Sequence, residues 1–250
     1  MPLTAKMTTN NTVLQECALN EPCSYITGNS QTIHYKIIQK STKEQCEALI
    51  LRGWRRFGEM YFRPACSSCT ACESLKIDVE NYIFSKSERR ILRKNSHLTT
   101  YVRHPSMSGE HLELFYRYHA YKHRTRDWDS PKIDPKNYRA SFVSGHGDFG
   151  YEVLYFEEDK LIAVDLIDVL DEGISSLYCY YDPHYSHLSL GKYTLLEQIA
   201  LAKRLGLRWI YLGYYVQGCQ SLEYKASYTP LLELQGRPEE KETPSWNPLS

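Results

Sequence analysis

The period of the apolar positions changes along the chain, and the changes mark its elements. From Ser41 to Arg52, Cys46, Leu49 and Ile50 recur at helical spacing. Ser41 stands as the N-cap, Glu44 follows three residues later as in a capping box, and Gly53 stops the helix. Tyr61-Phe62-Arg63-Pro64 then runs into a cysteine cluster, and Leu75-Lys76-Ile77-Asp78-Val79 alternates as a half-buried strand does. Helical spacing returns from Glu110 to Tyr121 through His111, Leu112, Leu114, Phe115 and Tyr118. Tyr138, Phe142 and Val143 predict a shorter helix before the Gly145-His146-Gly147 break. Tyr151–Phe156, Lys160–Val169 and Ile174–Tyr181 are β-rich runs separated by acidic or glycine-containing turns, which predicts an antiparallel meander. Leu195, Leu196, Ile199, Ala202 and Leu205 mark the buried face of a following helix, Gly206 its C-terminal stop, and Trp209–Leu212 a short buried strand.

Three strands, a helix and a strand in that order fit the core of an α+β acyltransferase. Residues 12–100 read as a smaller basic, cysteine-containing N-terminal α/β module and residues 101–236 as the acyltransferase domain. Met1 to Asn11 read as a loose end, and residues 237–250, with Pro238, Pro244 and Pro248 among charges, as a flexible tail. The chain has 250 residues, 42% hydrophobic and 24% charged, an ordinary globular composition that excludes disordered and fibrous classes. It has no run of eighteen apolar residues and no export signal at its start, so it is expected in the cytoplasm. Thirty Lys and Arg balance thirty Asp and Glu, which by itself argues against a nucleic-acid partner. The balance is a cancellation: residues 1–125 hold eighteen basic and eleven acidic side chains, residues 126–250 twelve and nineteen. A half at +7 facing a half at −7 fits either a basic face for an anion such as nucleic acid or a dipolar protein that pairs with itself.

Four constellations could carry chemistry. Cys66-Ser67-Ser68-Cys69-Thr70-Ala71-Cys72 is a doubled C-x2-C with no downstream pair, so ion binding would need Cys23 folded back onto it; otherwise these are reduced structural or redox-sensitive thiols. In Ser85 to Asn95, Lys86, Arg89, Arg90 and Arg93 fall on one helical face, a solvated face or a seat for phosphates. Ser189-Leu190-Gly191-Lys192-Tyr193 opens a helix, where a small residue lets backbone N–H groups approach an anion or simply lets helix and sheet pack. Tyr211-Leu212-Gly213-Tyr214-Tyr215, with Lys225 and Tyr228 behind, belongs to a chain with twenty-one tyrosines, about twice the usual share. Aromatic rings with hydroxyl tips suit an unpaired base and its sugar.

Cys23-Ser24-Tyr25, Gly53-Trp54-Arg55-Arg56-Phe57-Gly58, Tyr61 to Cys72, Ser85 to Asn95, Tyr180-Tyr181-Asp182-Pro183, Leu188 to Tyr193 and Tyr211 to Tyr215 resemble the aminoacyl-tRNA–protein transferases of the N-degron pathway. The resemblance runs in order from Cys23 to Gly236 and is nearest the bacterial leucyl branch, which acts on N-terminal Asp and Glu. It implies a GNAT-like C-terminal fold and transfer of an amino acid from its tRNA to a protein's N-terminal α-amine. It also implies aminoacyl-tRNA and acidic-N-terminus proteins as partners, no membrane, and no required cofactor. On this reading Asp182 orients or deprotonates the amine, and Tyr180 or Tyr214 bonds the terminal ribose. Ser189, Leu190, Gly191, Lys192, Tyr193, Tyr211 and Lys225 hold the acyl end, while Lys86, Arg89, Arg90 and Arg93 meet tRNA phosphate. Arg55, Arg56 or Arg63 reads the acceptor carboxylate, and Cys23, Cys66, Cys69 and Cys72 are candidate ligands of a metal or iron–sulfur cluster. One departure is that Ile26 stands where the eukaryotic arginyl relatives have the second cysteine of an N-terminal C-x2-C pair. Arginine as the transferred residue, a CoA-dependent N-acetyltransferase and a non-enzymatic RNA-binding module are the alternatives. The second is disfavoured because His187 to Tyr193 lacks the second small residue of a pyrophosphate loop.

Overall fold

The computed structural model describes residues 4–8, 12–126, 128–129 and 134–249, with side chains from Asn20 onward. In chain order the elements are β1 (Thr4–Thr8), β2 (Thr12–Pro22), β3 (Ser30–Ile37), α1 (Lys43–Ile50), β4 (Arg55–Phe57), β5 (Met60–Pro64) and β6 (Glu73–Asp78). Then come α2 (Lys86–Lys94), β7 (Thr99–Arg103), α3 (Gly109–Arg126), α4 (Pro135–Tyr138) and β8 (Gly150–Glu157). The chain continues with β9 (Lys160–Val169), β10 (Gly173–Tyr181), α5 (Leu190–Leu205), β11 (Trp209–Tyr215), β12 (Leu231–Leu234) and β13 (Trp246–Pro248).

The strands form two sheets, a small one in the order β1-β2-β3-β5-β4 and a large one in the order β13-β12-β6-β11-β10-β9-β8-β7. The meander β8-β9-β10 is antiparallel as expected, and α5 carries the chain from β10 to β11, its parallel neighbour. This is the GNAT-like order expected from the sequence. Alternate strand residues face opposite cores: Val153 and Tyr155 pack with Leu196 and Ile199 of α5, whereas Leu154 and Val164 pack with Leu114 and Tyr118 of α3. A third cluster, with Ile50, Trp54, Phe149 and Tyr211, joins the small sheet to the large one.

Several boundaries differ from expectation for physical reasons. α1 is capped by Thr42 with Gln45, because the Ser41 hydroxyl is taken by Tyr61 Oη at 2.8 Å. β6 is buried along nearly its whole length, because it lies inside the large sheet between β12 and β11. A strand of residues 12–100 is thus built into the sheet of residues 101–236, and α2 packs on α5 through Ile91 and Leu92. Leu205 is 53% exposed, beyond the buried face of α5, while Gly206 closes that helix at φ 70° as predicted. Residues 237–249 do not hang free: β13 pairs with β12, and Arg52 donates to the carbonyls of Glu239, Glu240 and Glu242. Of the expected N-terminal loose end, Thr4–Thr8 pair with β2; residues 1–3 and 9–11, like Ser250, lie outside the described residues. Among the described residues no helix is long and apolar enough to cross a membrane.

Candidate active site

β10 and β11 run side by side for only three residue pairs, Gly173–Trp209, Ile174–Ile210 and Ser175–Tyr211. Beyond them β10 follows β9 and β11 follows β6, with a register shift in each strand, so the two part and leave a gap. Backbone groups lining such a gap need partners, and Arg55 supplies them from β4 of the small sheet. Its Nη1 donates to Ser175 Oγ at 3.1 Å and to the Tyr211 carbonyl at 3.3 Å, and its Nη2 donates to the Ser176 carbonyl. β11 makes room by placing Gly213 there at φ 74°: a Cβ would lie 2.7 Å from Arg55 Nε. Burial pulls the Arg55 pKa below its ordinary value.

Other polar groups gather around this guanidinium. Lys225 Nζ donates to the Tyr214 carbonyl at 2.6 Å, and burial, helped by Arg55, pulls its pKa down to about 7. Tyr25, in the loop after β2, has its phenol pushed up to about 12 by burial and by Cys72, with Arg55 opposing. On the α5 side, burial pushes the Asp165 carboxyl up to about 7 against a 2.7 Å hydrogen bond from Gln198 Nε2. Cys179 Sγ lies 3.3 Å from Thr194 Oγ1. Gly191, at the start of α5, is packed against the Tyr181 ring, which a Cβ would meet at 3.0 Å.

The residues singled out from the sequence divide by location. Arg55 and Lys225 face the gap. Arg56, next to Arg55 on the strand, points away into a buried ion pair with Asp168, Nε to Oδ2 at 2.8 Å. Arg63 is held by the Pro238 carbonyl and by Glu239 Oε1, both at 2.9 Å, over the Trp54 ring. Tyr214 Oη donates to the carbonyls of Gly53 at 2.8 Å and Phe62 at 3.1 Å, tying β11 to the small sheet. Tyr211 is sealed between the sheets. Tyr180 is sealed beneath α3 and α4, its Oη 2.5 Å from that of Tyr138.

Asp182 is fully buried. Its Oδ1 accepts from the backbone N–H of His184 at 3.1 Å and lies 2.8 Å from the ring Nδ1, while Lys160 Nζ is 3.0 Å from Oδ2 and Arg117 3.5 Å. Burial pushes its carboxyl up, but the His184 backbone and ring, Lys160 and Arg117 outweigh burial and hold it below the usual range. That is the position of a cap for the turn Pro183–Leu188 and an ion-pair anchor, not of a base facing the gap.

Lys86, Arg89, Arg90 and Arg93 are all exposed on α2, and among the described residues none of them is in an ion pair. The helix is capped by a box of Ser85 with Glu88. The end of α2 is stitched to the approach to α5: Lys94 Nζ donates to the His187 carbonyl at 2.7 Å and Asn95 Nδ2 to the Leu188 carbonyl at 3.0 Å. Lys192 reaches back toward Glu88 at 3.7 Å and lies 5.7 Å from the Tyr228 ring. Ser189, at φ 55°, starts α5, and Leu190 and Tyr193 are buried in its packing against the sheet.

Cys23, Cys66, Cys69 and Cys72 border one small cavity together with Tyr25 and Arg237. Cys23 Sγ accepts from the N–H of Ile26 at 3.4 Å and Cys66 Sγ from that of Thr32 at 3.4 Å, while Arg237 holds the carbonyls of Cys66 and Cys69. Burial and the other three sulfurs push the Cys72 thiol up to about 12. Among the described residues no three His, Cys, Asp or Glu side chains stand in metal-holding geometry. A larger cavity of about 240 Å³ lies beside this loop, bordered by Arg52, Arg63, Glu73, Glu233, Tyr214 and Arg237.

Tyr25, Asp165, Gln198 and Thr194 were not among the sequence candidates. Asp165 carried a signal all the same, as a lone acid inside the apolar run Ile162-Ala163-Val164-Asp165-Leu166-Ile167.

Two parallel strands that part beside a crossover helix give the sheet a GNAT-like, α+β architecture. Two family models match: "Arginine-tRNA-protein transferase, N terminus" over residues 21–90 and "Arginine-tRNA-protein transferase, C terminus" over residues 110–235. The chain belongs to the arginine-tRNA-protein transferase family. Proteins named aspartate/glutamate leucyltransferase are 47% identical in Campylobacter jejuni over 89% of this chain and 93% of that one. One in Helicobacter hepaticus is 37% identical over 90% and 93%, and one in Pseudomonas aeruginosa 34% over 84% and 88%. Among solved structures, FemX is similar at a TM-score of 0.48 and 9% identity, covering 86% of this chain and 80% of that one, a likeness too distant to bear on function.

Proposed function

We propose that this protein transfers leucine from leucyl-tRNA to the N-terminal α-amine of proteins that begin with Asp or Glu, marking them for N-degron degradation. The observation that carries the reading is the gap between β10 and β11, entered from the small sheet by Arg55, with α2 packed on the neighbouring α5 and showing the exposed cations Lys86, Arg89, Arg90 and Arg93, which among the described residues are in no ion pair. The names of the relatives specify leucine and the two acidic acceptors.

The aminoacyl ester is already activated, so the protein has to position it, supply a neutral amine and stabilise the oxyanion. The tRNA backbone lies along Lys86, Arg89, Arg90 and Arg93, and its 3′ end passes Lys192 and Ser189 to the gap. Lys225, half neutral near pH 7, takes a proton from the acceptor α-ammonium. Arg55 has spent three of its five N–H donors on the strands; the remainder meet the acceptor carboxylate. Asp182 shapes the turn before α5 and has no part in the chemistry. The reaction takes place without CoA and balances without a redox partner: the ester C–O bond breaks, a C–N bond forms, and the ribose hydroxyl leaves with a proton.

The four cysteines have the donor chemistry for a soft ion such as zinc or an iron–sulfur cluster, which would fix the loop that presents Tyr25. Metal content and visible absorbance of protein purified without oxygen test this point.

The transfer itself is tested by incubating the protein with labelled leucine or arginine, the matching synthetase and tRNA, and peptides beginning with Asp, Glu, Lys or Ala. Leucine on the Asp and Glu peptides alone is expected; label on none of them sinks the reading, and arginine in place of leucine assigns the chain to the arginyl activity.

A further inference from the structure

On the α5 side of the gap, two buried polar atoms have no hydrogen-bond partner. Asp165 is fully buried in β9; its Oδ2 accepts from Gln198 Nε2, but its Oδ1 accepts nothing. Gln198, 3% exposed on the inner face of α5, donates also to Ser176 Oγ at 3.1 Å, and Ser176 is the first residue of β10 beyond the last pair with β11. The amide's donors are thus both used and its Oε1 is left open. Unpaired acceptors are uncommon in a protein interior, and here two occur on one hydrogen-bonded pair at the point where the strands part.

Nearby polar groups do not answer them. Cys179 and Thr194 face each other, and the Arg55 donors toward β10 go to Ser175 and to the Ser176 carbonyl. What the pair lacks is a compact donor with several N–H bonds and a positive charge. An aminoacyl ester carries one such group, its own α-amine, on the carbon next to the reacting carbonyl.

We infer that Asp165 Oδ1 and Gln198 Oε1 form the seat for the α-ammonium group of the residue being transferred. The inference rests on the gap being the acyl site. It sets the donor class: esters of amino acids with a free α-amine are accepted, and N-acylated or deaminated ones are refused. It also separates two amines in one site, because the donor's amine is held protonated and cannot attack, whereas the acceptor's is deprotonated beside Lys225. The raised pKa of Asp165 agrees with a carboxyl that lacks its counter-charge until substrate arrives.

The test compares three donors with the wild-type protein, Asp165→Asn and Gln198→Met: leucyl-tRNA, its nitrous-acid product carrying an α-hydroxyl, and N-acetyl-leucyl-tRNA, all with an Asp-initiated peptide. The wild type should use the hydroxy donor about tenfold or more less well in kcat/KM than leucyl-tRNA, and the acetylated donor less well still. In both variants the ratio of leucyl to hydroxyacyl transfer should fall toward one. Melting curves show whether each variant folds, and Gln198→Met carries the test if Asp165→Asn does not. An unchanged ratio in a folded variant overturns the inference, as does wild-type protein that uses N-acetyl-leucyl-tRNA as readily as leucyl-tRNA. A wild-type protein that transfers no leucine to the peptide from leucyl-tRNA contradicts the proposed function itself.

Discussion

Replacing Arg89, Arg90 and Arg93 with alanine removes three of the five exposed cations of α2, leaving Lys86 and Lys94. Among the described residues none of these side chains is in an ion pair, and the one hydrogen bond they make, from Arg89 Nη1 to the Phe84 carbonyl, leaves the charge uncompensated, so each can displace a counter-ion from a phosphate. Each such contact contributes about 0.9 to the slope of log K against log salt on a duplex, so three contribute about 2.7. From about 50 to about 200 mM salt, a fourfold change, wild-type affinity for tRNA should therefore fall roughly 40-fold more steeply than that of the variant. The fold should be indifferent, since exposed substitutions of this kind usually stay within about 0.5 kcal/mol. Filter binding of uncharged tRNA over that salt range, beside melting curves, measures both. A triple variant that keeps the wild-type salt slope would refute the placement of tRNA on α2.

Three further outcomes follow from the geometry. Gly213→Ala forces a Cβ to 2.7 Å from Arg55 Nε at a positive φ; it should cost about 1–3 kcal/mol and most of the transfer activity, read by melting and steady-state assay. Asp182→Asn should retain transfer while lowering stability by about 1–3 kcal/mol, because it weakens a buried cap and its ion pairs; loss of kcat with an unchanged melting temperature would restore Asp182 as a catalytic group. Asp165 has a folded pKa of about 7, above its unfolded value, so the folded state binds the extra proton. Its contribution to stability is full below about pH 4 and is lost as pH rises through 7. Asp165→Asn should therefore gain melting temperature relative to wild type at pH 8 but not at pH 4, and an equal difference at both would contradict this.

What the sequence shows of this protein is what local periodicity can carry. The basic face of α2, the long strand β9 and the glycine that ends α5 are all local patterns, and each stands where the spacing puts it. The place of β6 between β12 and β11 depends on pairing with strands more than 100 residues away, so its pattern looked half-buried. The charged tail reads as loose, but Arg52, Arg63 and Trp246 fasten it to partners that only the fold brings near. Arg55 and Arg56 look interchangeable in the sequence; on a strand they point to opposite sides, and one fills the gap while the other joins Asp168. Asp182-Pro183 shows the same ambiguity, because an aspartate ahead of a turn caps it as readily as it serves chemistry.

In the proposed reaction the acyl end of the tRNA lies between β10 and β11. A crystal structure with an acceptor-stem RNA ending in 3′-leucylamido-adenosine, a stable mimic of the ester, tests that directly. The leucyl group is predicted beside Arg55 and Gly213, with its α-amine on Asp165 and Gln198 and the RNA backbone along α2. A leucyl group bound instead in the cavity bordered by Arg52, Glu73 and Arg237, with the gap unchanged, would contradict it.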